Sequence, residues 1–75
     1  MTLASADIGD TYIVQSMDLD VVTGRRLGAL GITKGTNIRV INRNGGGAVI
    51  FMVRGTRLAV GKKIAESIGI RRAES

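Results

Sequence analysis

From Asn37 to Arg43 polar and apolar residues alternate, with Ile38 and Val40 on one side of the pleat and Asn37 and Arg39 on the other. That two-residue period predicts a half-buried strand. Ala48 to Val53 is apolar at every position and predicts a second strand. Asn44-Gly45-Gly46-Gly47 lies between them, a strong hairpin signal. With a two- or four-residue loop, Arg43 faces Ala48, Ile41 faces Ile50 and Arg39 faces Met52; a three-residue loop shifts this pairing by one. Directly opposed residues share a face of the sheet. Ile38, Val40, Val49, Phe51 and Val53 are therefore expected in the core, with Ile41, Ile50 and Met52 on the outer face beside Arg39 and Arg43. Such an apolar outer face is either covered by the chain's own helix and termini or is a binding patch.

Elsewhere, Thr11 to Met17 predicts a strand centred on the β-favouring Tyr12, Ile13 and Val14, reached through a turn at Ile8-Gly9-Asp10. Asp20 stands where a helix from Val21 to Leu30 would take its N-cap. Leu27 and Leu30 are three apart and are expected on one helix face. Gly31 fits the left-handed C′ position of a Schellman stop, with Ile32 at C″ touching Leu27 at C3. Gly35 then turns the chain into the strand that starts at Asn37. Gly24 and Gly28 each cost the helix about 1 kcal/mol relative to alanine. They lie on one face, where the preferred expectation is close packing of helix backbone on the sheet, the alternative a small-residue groove for a partner. Arg54-Gly55-Thr56 reads as a second turn and Arg57 to Val60 as a strand with Leu58 and Val60 inward. Gly61 to Ser67 reads as a single helical turn, and Ile68-Gly69-Ile70 as a last strand that closes the sheet. Arg71 to Ser75 is polar and expected to fray. The fold class is mainly β: five short strands in a small, partly open barrel with one inserted helix, residues 1–75 forming one domain.

Composition narrows the chemistry. The 75 residues contain no cysteine and no histidine, so disulfides, a tight zinc site and the common nucleophile–base pairs have no residues to build them. No catalytic residue, cofactor or metal ligand is assigned, and the chain does not read as an enzyme. Asp18 and Asp20 could share a hard cation, but they also fit an ordinary strand-to-helix turn, the expected reading. Gly55 to Lys63 fails the phosphate-loop spacing, since five residues separate Gly55 from Gly61. Met1 to Asp10 has no apolar run of a secretory signal, and the longest apolar run, Ala48 to Val53, is far short of a membrane span of about 20 residues. The expected location is the cytoplasm.

Eleven Lys and Arg against six Asp and Glu give a net charge of +5. That balance suits an acidic partner and equally suits the solubility of a small domain. Single-strand-binding barrels add aromatic stacking platforms to their charge; here Tyr12 and Phe51 are the only aromatics, and Phe51 is expected inside. Nucleic-acid binding is therefore not favoured.

Taken together, these residues resemble the FeoA (ferrous iron transport protein A) family. The likeness runs from about Leu3 to Ile70. It is carried by Arg25-Arg26-Leu27-Gly28-Ala29-Leu30-Gly31-Ile32 with Gly35, by Arg54-Gly55-Thr56-Arg57-Leu58-Ala59-Val60, and by Ala65 and Ile68 before the closing strand. The chain departs from the family in having Lys34 where proline is usual and a shorter hairpin at Asn44 to Gly47. The resemblance implies an SH3-like barrel with an inserted helix. It also implies a small cytoplasmic protein that assists FeoB, a membrane ferrous iron transporter with a GTPase domain. Without histidine or cysteine, the chain is a poor iron carrier, which implies action by contact. The expected partner surface joins the helix end (Arg25, Arg26, Leu30, Ile32) to the outer sheet face (Ile41, Ile50, Met52), with Arg54 and Arg57 adding charge. For Leu30 and Ile32 taken singly, plain core is the expectation. Alternatives are a detached SH3-like regulatory domain of the iron-dependent repressor type, a basic nucleic-acid-binding barrel, and self-association through the apolar strand face.

Overall fold

The computed structural model describes residues 1–73. A 3-10 turn at Leu3–Ser5 is followed by β1 (Thr11–Met17), α1 (Val21–Ala29), β2 (Asn37–Arg43), β3 (Val49–Val53) and β4 (Thr56–Val60). α2 (Lys62–Ser67) and β5 (Ile68–Arg72) complete the chain. The strands form one antiparallel sheet in the order β4-β3-β2-β1-β5. β4 and β5 are the two edges, so the ring of strands is open between them.

Alternation decides which side chains fill this sheet. Tyr12 and Val14 of β1, Ile38 and Val40 of β2, Val49, Phe51 and Val53 of β3, and Ile68 and Ile70 of β5 are all buried. The helices add little to the core: Leu27 from α1 and Ala65 from α2. The N-terminal segment contributes Leu3 and Ala6, both buried, which no period in the sequence signals. It is held by a bridge from Thr2 to Gly69 and by the Ile70 amide donating to the Met1 carbonyl at 2.9 Å.

The β2–β3 hairpin departs from the expected register and then returns to it. Asn44 N donates to the Ala48 carbonyl, and Gly47 has φ +89°. Three residues therefore span the loop, and Arg43 faces Val49 instead of Ala48. The Asn44 side chain accepts from the Gly46 and Ala48 amides at 3.0 and 3.1 Å, which fixes the shorter path. A bulge at Ile41 then undoes the shift: Asn42 faces Ile50, while Val40 faces Phe51 and Arg39 faces Met52. Ile41 is therefore the extra residue of the bulge, opposite no single partner.

β5 also runs further than Ile70. Arg71 and Arg72 pair with Ile13 and Tyr12 of β1, and Ala73 N donates to the Thr11 carbonyl at 3.0 Å. Arg72 bonds Asp7 at 2.6 Å and Asp10 at 2.5 Å, and its guanidinium lies 5.5 Å from the centre of the Tyr12 ring. Arg71 and Arg72 are thus part of the sheet and not of a frayed tail; residues 74–75 lie outside the described residues.

Candidate partner-binding surface

α1 is short and its two ends are held by specific bonds. At the start, the Asp20 carboxylate accepts from the Thr23 amide at 3.3 Å. Hydrogen bonds from Thr23 hold the Asp20 carboxyl below its ordinary range, because they favour the charged form. At the end, Gly31 has φ +95°. The Ile32 amide donates to the Leu27 carbonyl at 2.9 Å and the Gly31 amide to the Gly28 carbonyl at 3.0 Å. These two bonds make the Schellman stop. Thr36 secures the exit: its hydroxyl accepts from the Thr33 amide at 3.2 Å and donates to the Gly31 carbonyl at 3.3 Å.

The stop separates the two apolar residues at the helix end. Ile32 is 1% exposed and belongs to the core, so it is not part of any contact surface. Leu30 is 51% exposed and does not share the buried face of Leu27. Arg25 and Arg26 are exposed on the same helix. So are Val21 and Val22, at 68% and 62%, residues absent from the expected surface. Their positions were available in the sequence, since at about 100° per residue both lie more than 100° around the axis from Leu27.

Arg54 joins this end of the helix from the β3–β4 turn. Its Cδ lies 2.9 Å, and its Nε 3.2 Å, from where a Cβ on Gly31 would stand. Arg54 and Gly55 have φ of 51° and 79°, the two left-handed residues of a tight hairpin turn. Gly24 and Gly28, by contrast, pack against nothing: a Cβ on either would meet no atom within 4 Å. The expected close packing of helix backbone on the sheet is therefore absent, and the glycine edge of α1 faces open space.

The outer sheet face is the second part of the surface. Ile41, Ile50 and Met52 are half-buried there, neither fully covered nor fully open, while Arg39 and Arg57 are exposed. Arg43 is engaged, its guanidinium donating to the Ala6 carbonyl. Among the described residues the ion pairs are those of Arg72 with Asp7 and Asp10. Arg25, Arg26, Arg39, Arg54 and Arg57 have no carboxylate partner there. No group of three or more Asp, Glu, His or Cys gathers where it could hold a metal ion, among the described residues. Tyr12 and Phe51 are fully buried, so the surface has no aromatic for a base to stack on. No helix of the described residues is long and apolar enough to cross a membrane.

The model of the FeoA domain matches residues 1–72. This chain belongs to the FeoA family. A provisionally named Fe(2+) transport protein A from Methanocaldococcus jannaschii is 36% identical over 72 residues, which covers 96% of this chain and 87% of the relative. Among solved structures, FeoA from Chlorobium tepidum superposes with a TM-score of 0.91 at 25% identity, covering 99% of this chain and 71% of that one. FeoA from Stenotrophomonas maltophilia, solved with zinc and described as a procaryotic SH3 domain protein, gives 0.78 at 26% identity over 95% of this chain and 89% of that one. The five-stranded architecture is thus the SH3-like fold of the FeoA proteins. A manganese-dependent transcriptional repressor shares it, with a TM-score of 0.86 at 23% identity over 97% of this chain and 41% of its own; that likeness is one of fold.

Proposed function

We propose that this FeoA protein is a cytoplasmic accessory and regulator of ferrous iron uptake. It works by contact with an FeoB-type membrane transporter, at its cytoplasmic GTPase region or its membrane part. Membership of the FeoA family supports the iron-uptake setting. One observation carries the contact reading: α1 turns Val21, Val22, Arg25, Arg26 and Leu30 to solvent while contributing Leu27 alone to the core. A helix that buries so little of itself is placed to bury the remainder against something else. Arg54, held at its C-terminal end, adds a third positive charge. Charges at the rim of an interface mainly speed encounter and fix orientation, so the acceptor surface is expected to be acidic.

The test is affinity for the transporter's cytoplasmic region, measured by calorimetry with the wild-type protein and with Arg25→Glu plus Arg26→Glu. Both side chains are exposed, so the double variant should keep its fold. Arg26 lies in the last turn of α1, where a cation is favoured, so the melting temperature should fall by roughly a few degrees. Binding about tenfold weaker or more, measured well below the melt of the variant, is expected. Unchanged affinity would remove the helix from the contact.

A further inference from the structure

The register across three strands makes a charged row on the outer face. Arg39 of β2 faces Met52 of β3, and Met52 faces Arg57 of β4. Opposed residues share a face, so Met52 lies between two arginines. Adjacent strands are about 4.8 Å apart, which sets the two arginine Cα atoms about 10 Å from one another. With Gly9, Val40 and Ile41, this row lines an open groove of about 380 Å³.

Several observations limit what the groove can take. Arg43, also carried by β2, is already bonded to the Ala6 carbonyl. Arg39 and Arg57 are exposed and have no hydrogen-bonded or ionic partner among the described residues. A free inorganic anion would gain only a screened attraction at so open a site, and would leave the Met52 and Ile41 floor unused. A nucleic acid strand would find no aromatic to stack on, because Tyr12 and Phe51 are both buried. The chemistry that uses both the floor and the flanking charges is a peptide with carboxylates on either side of an apolar residue.

We infer that this groove receives an acidic, apolar-centred segment of a protein partner. Two carboxylates meet Arg39 and Arg57, and the apolar side chain between them lies on Met52. The inference deepens the contact reading above and rests on it only for which protein supplies the segment.

The probe is a fluorescein-labelled synthetic peptide with the core Glu-Ser-Leu-Ser-Glu, followed by anisotropy and by amide NMR shifts of the 75-residue protein. Binding is expected, with shifts centred on Arg39, Met52 and Arg57. It should weaken about tenfold when both glutamates become glutamine, or when the leucine becomes serine. Arg39→Gln and Arg57→Gln should each weaken it, and Arg39→Glu and Arg57→Glu more so. No binding at millimolar peptide, equal binding of the glutamine peptide, or shifts confined to α1 would each overturn the inference. The two readings fail separately. Absent peptide binding, together with transporter binding that survives Arg39→Glu plus Arg57→Glu but not Arg25→Glu plus Arg26→Glu, overturns the groove and leaves the contact reading standing. Peptide binding as expected, with no transporter binding by the wild-type protein, keeps the groove and removes the transporter as its partner.

Discussion

The Arg54 side chain lies across Gly31, its Cδ 2.9 Å from the place a Cβ would occupy. Gly31 therefore serves twice: its φ of +95° ends the helix, and its missing side chain leaves room for the guanidinium stem. The negative end of the α1 dipole is nearby, where a cation is favoured. Gly31→Ala should lose on both counts. A left-handed residue with a Cβ costs about 1–2 kcal/mol, and Arg54 must move as well. In a domain of this size the melting temperature should fall by roughly 5–15 °C. A melt unchanged within error would mean that the helix stop does not need glycine.

Arg54 itself sits at φ 51°, where glycine or asparagine is the usual hairpin residue. Arg54→Gly removes that strain and is expected to leave thermal stability equal or higher. It also removes the third positive charge at the helix end, so transporter affinity should fall. A stable variant with full affinity would show that the arginine is not used in binding.

Gly24 and Gly28 should behave in the opposite sense to Gly31. Neither has an atom within 4 Å of a would-be Cβ, and neither is left-handed. Alanine at either site should therefore stabilise α1 by about 0.5–1 kcal/mol through the lower backbone entropy of the unfolded chain. Chemical denaturation of the two single variants measures this directly. Destabilisation at either position would mean that the glycine edge packs against something after all.

The N-cap gives the helix a dependence on pH. The Asp20 carboxyl is held below the ordinary carboxylate range, chiefly by hydrogen bonds from Thr23. A carboxyl whose folded pKa is depressed adds stability above its unfolded pKa and loses it as the pH falls through the folded value. The first turn of α1 should therefore loosen below about pH 4, seen as a titrating Thr23 amide shift and faster exchange of that amide. Asp20→Asn can still cap and should abolish the titration while keeping the helix. If the Thr23 amide titrates unchanged in Asp20→Asn, its pH response has another source.

Most of the sheet could be read from the chain because alternation and glycine turns determine it locally. Ile38, Val40, Val49, Phe51 and Val53 are buried as their spacing requires, and the Schellman stop forms on the residues that signal it. What escaped was set by tertiary contacts. The three-residue loop at Asn44 and the bulge at Ile41 offset each other, and neither has a mark in the alternation. Leu3 and Ala6 fill the core from a segment without periodicity. Arg72 is ordered by Asp7 and Asp10, more than sixty residues away. For the partner surface, Arg25, Arg26, Leu30, Arg54 and Arg57 are accessible, whereas Ile32 is consumed by the core. Val21 and Val22 were legible as lying away from Leu27, but the expected packing of Gly24 and Gly28 hid how little of α1 the sheet covers.

The central claim is that this FeoA protein acts by contact through α1 and the outer sheet face. Amide NMR shifts of the protein, recorded while titrating in the cytoplasmic GTPase region of an FeoB-type transporter in each nucleotide state, test it most directly. The account predicts shifts that cluster on Val21 to Leu30, on Arg54, and on Arg39, Met52 and Arg57. Shifts confined to other surfaces, or none in any nucleotide state and none with the full-length transporter, would contradict it.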